Sequence, residues 1–226
     1  MGKYFNAGQT CVAPDYVLVA ESVHDELVDE MVRAVQAHRG ADPRHSESFG
    51  RIVNEGHARR LQALLDQGGY GTIAFGGTVD VAARYVAPTI LAKVERDAAV
   101  MGEEIFGPIL PVVPVGDTEE AIRHVNAGDT PLALYVFASS DAVVKRVLQS
   151  TSSGGACVND VMTHLLVPGL PFGGVGASGY GDYHGRWGVE TFSHRRAVLE
   201  RPTWFEMPVL YPPYSAAKER VVRRLF

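Results

Sequence analysis

A chain of 226 residues, 46% hydrophobic and 21% charged, can bury one sizeable core and is not disordered throughout. Its formal net charge of -5 argues against nucleic acid as the main partner, because such binding needs a basic face. With only two cysteines, Cys11 and Cys157, no signal-peptide pattern and no apolar run of about 18 residues, the chain reads as cytoplasmic, without a disulfide framework or a membrane span.

The short apolar run YVLVAE (16–21) predicts a buried strand, bounded by Pro14 and Ser22. The period then lengthens. Leu27, Val28, Met31, Val32 and Val35 recur at helical spacing, with Ser22 as the expected N-cap and Gly40 as the stop. A second helix is predicted over Glu55 to Gln67, with Ala58, Leu61, Leu64 and Leu65 on one face. GTIAFGG (71–77) reads as a strand. YVAPTIL (85–91) reads as an edge-like or bent strand, because Pro88 lacks an N–H donor. ILPVVPV (109–115) is extended, TEEAIRHVNAG (118–128) a capped helix, and LALYVFAS (132–139) a strand. DAVVKRVLQST (141–151) is a helix and GACVND (155–160) a strand.

Strands alternating with helices imply an α/β fold: a mostly parallel sheet with helices on both faces. The alternation ends in a glycine-rich loop, PFGGVGASGYGDYHGRWG (171–188). An extended segment, TFSHRRAVLER (191–201), and a proline-rich tail with a basic end, KERVVRRLF, follow. The end reads as a solvated or subunit-facing tail.

Gly174, Gly176 and Gly179 satisfy G-x-G-x-x-G. No clean strand precedes them and glycines interrupt any following helix, so they predict a tightly packed loop and not a phosphate cradle. Cys157 lies in a strand pattern and reads as structural. Cys11 is either core filler or a nucleophile: it stands in a polar loop before a buried strand, where α/β folds expose chemistry. In EEIFGP (103–108) the acids form either a solvated turn or an acceptor for ligand hydroxyls, with Phe106 as an apolar wall. The eight histidines show no ligand spacing, so no metal site is expected.

FNAGQTC, EEIFGP and PFGGVGASG, in this order and at these separations, resemble the aldehyde dehydrogenase superfamily. APDYVLV, the VND at 158–160 and YHGRWGVETFSHRRAV (183–198) are similar to its class 3 branch, and the LYPPY tail to coniferyl aldehyde dehydrogenases. The resemblance implies that Cys11 is the catalytic thiol, that Glu104 binds the nicotinamide ribose of NAD or NADP, and that Phe106 lies beside the nicotinamide. It implies a structural role near the active site for Asn159, and a lining role for Phe172, Gly173 and Gly174. Hydrophobic or aromatic, coniferyl-type aldehydes are the implied substrates, and a homodimer the implied assembly.

By the same resemblance, residues 1–192 are the catalytic domain and 193–226 an oligomerisation strand with a C-terminal tail. The family's N-terminal NAD-binding domain, its Glu-Leu-Gly-Gly base and its oxyanion asparagine are not among these 226 residues. The expectation is a catalytic half that is inactive or nearly so alone. The alternatives are a non-catalytic oligomerisation module and a residual thiol esterase.

Overall fold

The helix-period segments become helices where the sequence places their apolar stripes. In a computed structural model describing residues 2–40 and 42–225, α1 spans His24–Arg39 and α2 Glu55–Asp66. Val28 and Val35 of α1, and Ala58, Leu61, Leu64 and Leu65 of α2, are buried. Gly40 closes α1 at φ 75°, its amide donating to the Gln36 carbonyl. The Asn54 side chain caps α2 by accepting from the His57 amide. Ser22 does not cap α1. It lies inside a 3-10 turn, Glu21–Val23, and the helix starts behind Val23 without a side-chain cap.

The main sheet contains β1 (Val17–Ala20), β2 (Tyr70–Phe75), β5 (Thr89–Val94) and β6 (Ile109–Val115), in the order β1-β6-β5-β2. β6 pairs in parallel with β1 and β5, and β2 closes one edge antiparallel. Consecutive residues are fully buried in both central strands: Ile90 with Leu91, and Val112 with Val113. Successive side chains point to opposite faces, so both faces of the sheet are covered. α1 packs against β2, β5 and β6.

The segment 85–91 is not an edge strand. It splits into β4 (Tyr85–Val86), which pairs with the two-residue β3 (Val79–Asp80), and the central β5. Pro88 stands in the bend between them, where no ladder donor is needed. β7 (Ala133–Val136) and β8 (Gly155–Val158) form a separate parallel pair. α3 (Thr118–Ala127), capped by Asp117, precedes β7, and α4 (Asp141–Ser150), capped by Ser140, connects β7 to β8. The molecule is thus an α/β fold with a mostly parallel sheet.

Two compact units divide the chain, one through Thr191 and one from Phe192 onward. The first ends in α5 (Arg186–Thr191), a short helix that forms despite Gly188. Residues 193–202 enter no strand pairing among the described residues. The second unit contains α6 (Ala216–Leu225), with a Glu219–Arg223 ion pair at i,i+4 spacing. No described helix is long and apolar enough to cross a membrane.

Candidate active site

Residues 2–13 form a loop whose shape depends on left-handed backbone. Asn6, Ala7 and Gly8 have φ of 48°, 52° and 76°. Two side chains tie the loop down. Asn6 Nδ2 donates to the Gln9 carbonyl at 3.0 Å. Gln9 donates from Nε2 to the carbonyls of Asn6 and Arg51, both at 3.1 Å, and accepts the Val53 amide on Oε1 at 2.9 Å. The chain then turns through Thr10–Ala13, closed by the Ala13 amide on the Thr10 carbonyl at 2.9 Å. Cys11 is exposed on that turn while Val12 beside it is buried. Tyr135 of β7 reaches the same turn: its hydroxyl donates to the Val12 carbonyl at 2.6 Å. The thiol is therefore accessible on a backbone held from two sides.

Glu104 and Phe106 lie on the loop leading into β6, and both are exposed. Phe106 has φ 46°, which turns the chain sharply between the buried Ile105 and Gly107. This loop meets the cysteine loop directly. A Cβ on Gly8 would stand 2.2 Å from the Gly107 carbonyl oxygen, so the two backbones are in contact. Arg60 of α2 grips the same loop from the other side. It donates to the Glu103 carboxylate at 2.8 Å and to the Ile105 carbonyl at 2.5 Å. His57, Arg60, Glu103, Glu104 and Phe106 line an open depression of about 480 Å³.

A buried charge joins the two loops. Lys3 is 3% exposed, with Nζ 3.6 Å from Asp15 Oδ1. The same carboxylate oxygen accepts the Ile105 amide at 3.1 Å. Burial pushes the Lys3 ammonium down to about 8, against the opposing pull of Asp15 and Glu104. Because this folded value lies below the unfolded 10.5, the folded chain holds fewer protons on Lys3 between pH 8 and 10.5. Stability from this group rises with pH across that window, so below pH 8 the charged Lys3 is a cost to the fold. Partial desolvation raises the Glu104 carboxyl above its usual range and the charge of Asp15 adds to it, while Lys3 and Arg60 oppose.

The remaining sequence-predicted residues stand on the β7–β8 side. Asn159 follows β8 at φ 54°. Its side chain accepts the Ala138 amide at 2.9 Å and donates to the Ala138 carbonyl at 3.1 Å, locking the ends of both strands together. Phe172 bridges Tyr183 through paired backbone hydrogen bonds. Its ring lies 6.1 Å from His164, which lies 6.1 Å from Tyr135, so an aromatic chain runs from the glycine loop to the residue holding Val12. Gly173 packs where a Cβ would come within 2.1 Å of the Gly181 carbonyl, and Gly174 where one would meet the Ser178 carbonyl at 2.0 Å. These glycines serve close packing.

Cys157 is buried, and its Sγ lies 3.1 Å from His164 Nδ1. His164 is 9% exposed and its Nε2 has no hydrogen-bond partner. Burial lowers its pKa, disfavouring the charged imidazolium. Sequence reasoning missed Lys3, Asp15, Arg60, Tyr135 and His164. No group of three or more His, Cys, Asp or Glu among the described residues is arranged to hold a metal.

The model of the family described as "Aldehyde dehydrogenase family" matches residues 1–198. The rat protein named "Aldehyde dehydrogenase, dimeric NADP-preferring" is 46% identical over 97% of this chain and 48% of its own length. The human "Aldehyde dehydrogenase family 3 member B1" is 49% identical over 97% of this chain and 47% of its own. Among solved structures, the substrate-bound AldH of Staphylococcus aureus superimposes with a TM-score of 0.89 at 43% identity. It covers 100% of this chain and 49% of that one. The chain spans about half the length of these relatives.

Proposed function

The chain belongs to the aldehyde dehydrogenase family, and on that premise we propose that it carries the catalytic cysteine for oxidising aldehydes to carboxylic acids with NAD or NADP. One observation carries this reading: Cys11 is exposed on a backbone held from both sides, and the other cysteine is buried. In the proposed reaction the Cys11 thiolate adds to the carbonyl carbon, giving a thiohemiacetal whose oxyanion the Cys11 amide helps to hold. NAD or NADP, held with its ribose at Glu104 and its nicotinamide beside Phe106, would supply the hydride acceptor that converts the thiohemiacetal on Cys11 to a thioester. Water then adds to the thioester carbon, the acid departs, and the thiolate is restored on Cys11.

The residues present suit such a cofactor. Glu104 offers an exposed carboxylate to ribose hydroxyls and Phe106 an exposed ring, both at the rim of one open depression. A hydrophobic or aromatic aldehyde is favoured by exposed Leu166, Val167 and Leu170. They follow or share the turn containing His164, which packs on Tyr135 behind the cysteine. A homodimer is supported by the rat relative's name and by exposed Phe137, Leu166, Tyr183 and Val189 in the first unit. Equilibrium sedimentation showing only monomer at every loading concentration would remove the dimer.

The 226 residues contain no Glu-Leu-Gly-Gly segment and no asparagine before Cys11 other than Asn6, whose side chain is bonded to Gln9. The chain by itself is therefore expected to turn over little, since a general base and an oxyanion donor each contribute roughly 10²–10³-fold. The test is NAD(P)H formation with a cinnamyl-type aldehyde, beside Cys11→Ala, together with iodoacetamide labelling. The expected result is no signal above the variant, with Cys11 alkylated faster than Cys157. Ready Cys11-dependent NAD(P)H would overturn the expected inactivity, and equal labelling of both thiols would overturn the nucleophile.

A further inference from the structure

We propose that Lys3 is a positioning residue that holds the 104–107 loop in register with the cysteine turn. Its functional consequence rests on reading Glu104 as cofactor-facing; the contact itself does not. The loop has three anchors. Arg60 takes its carbonyls from the α2 side, and Gly107 lies against Gly8. The third anchor is Asp15 Oδ1, which accepts the Ile105 amide.

The Asp15 side chain is 35% exposed, so it is free to rotate toward water. What keeps it turned inward is the Lys3 ammonium, 3.6 Å from the oxygen that the Ile105 amide uses. Ile105 is fully buried, and an amide there left without its acceptor is costly. The charged groups facing Lys3 are Asp15 and Glu104. Both lie on segments that must be matched, one just after the cysteine turn and one on the opposing loop.

An apolar side chain would fill the same space without the desolvation cost that Lys3 bears. A charge kept at a cost to stability points to a role in geometry rather than in stability. Lys3 and Asp15 are thus a bolt between two loops, each of which carries one of the candidate ligand-facing residues.

The test is amide hydrogen exchange on the whole 226-residue chain, read at Ile105, with thermal unfolding alongside. Lys3→Met is expected to speed Ile105 exchange about tenfold, the factor set by the loss of one hydrogen bond, with Tm unchanged or raised. Lys3→Arg is expected to restore protection to within a few-fold of the parent. Asp15→Asn, which keeps an acceptor but frees it from Lys3, is expected to speed the same amide several-fold. The double variant is expected to be no faster than Lys3→Met alone.

Unchanged Ile105 exchange in Lys3→Met or in Asp15→Asn would overturn the proposal. So would a lowered Tm, or loss of folding, with acceleration spread over β5 and β6, because that is the mark of a merely structural lysine. Glu104→Gln separates the two ideas. It is expected to leave Ile105 exchange at the parent rate, and its NAD(P) affinity bears only on the role of Glu104.

Discussion

Gly8→Ala is expected to destabilise the chain by about 3 kcal/mol or more, with the urea midpoint falling while the first unit still folds at low denaturant. Two costs add. Gly8 has φ 76°, and an L side chain in that region costs about 1–2 kcal/mol. The added methyl would also sit 2.2 Å from the Gly107 carbonyl oxygen, 2.4 Å from its carbon and 3.0 Å from the Lys3 carbonyl. All three atoms are backbone, so no rotamer relieves the clash. Gly107 cannot retreat, because a Cβ there would already meet Leu61 at 2.6 Å and Leu61 is fully buried. Domains of this size are stable by only about 5–15 kcal/mol, so the effect is large. Gly188→Ala is the control: it lies in α5 with open space around its Cβ, and is expected to change stability by less than about 1 kcal/mol. Equal midpoints for Gly8→Ala and the parent would show that the two loops do not touch in solution.

Cys11→Ala is expected to abolish acylation by an activated aryl ester, lowering the burst by roughly 10³-fold or more. The result is not obvious from local chemistry, since the two thiols divide the requirements of a nucleophile. Cys157 has an imidazole at 3.1 Å, the arrangement that normally activates a thiol. It is also buried, its sulfur lying against Thr163 and His164. Cys11 has access, and its turn is pinned by Tyr135 and Gln9. Access decides, because an imidazole cannot deliver an electrophile that does not enter. Intact-mass measurement should show one acyl group on the parent and on Cys157→Ala, and none on Cys11→Ala. An adduct that persists in Cys11→Ala would move the chemistry to Cys157. No adduct on the parent would favour a non-catalytic assembly module.

The elements most legible in the sequence were those whose burial is periodic. Ala58, Leu61, Leu64 and Leu65 predicted α2 because a helix returns the same face every 3.6 residues, and all four are buried. Ser22 misled because a cap is defined by the turn that precedes the helix. Here the turn Glu21–Val23 displaces the start. Pro88 suggested an edge or a bend; the bend is what forms, before a strand that is central, and only the pairing of β5 reveals which. α5 and α6 were not foreseen, since glycine in one and dense charge in the other obscure short helices. At the site, the polar loop holding Cys11 and the close packing at Gly173 and Gly174 were readable from local composition, whereas Gly176 has open space about its Cβ and serves a left-handed backbone at φ 61°. Lys3 was not readable, because lysine is rarely buried and its reason for being so lies at residues 15 and 104.

The prolines of β6 have a further effect before folding is complete. ILPVVPV is an uncharged seven-residue stretch of high strand propensity, the kind of segment that stacks into intermolecular fibrils when exposed on a nascent chain. Alternate residues of a strand turn their N–H groups to opposite sides, so Pro111 and Pro114, three apart, delete one donor from each edge. The native ladders with β1 and β5 tolerate the two gaps because the remaining residues are buried on both faces. A stack of identical copies would repeat both gaps at every layer. The same two residues that complicate the pairing of this strand thus protect the unfolded chain from assembling with itself.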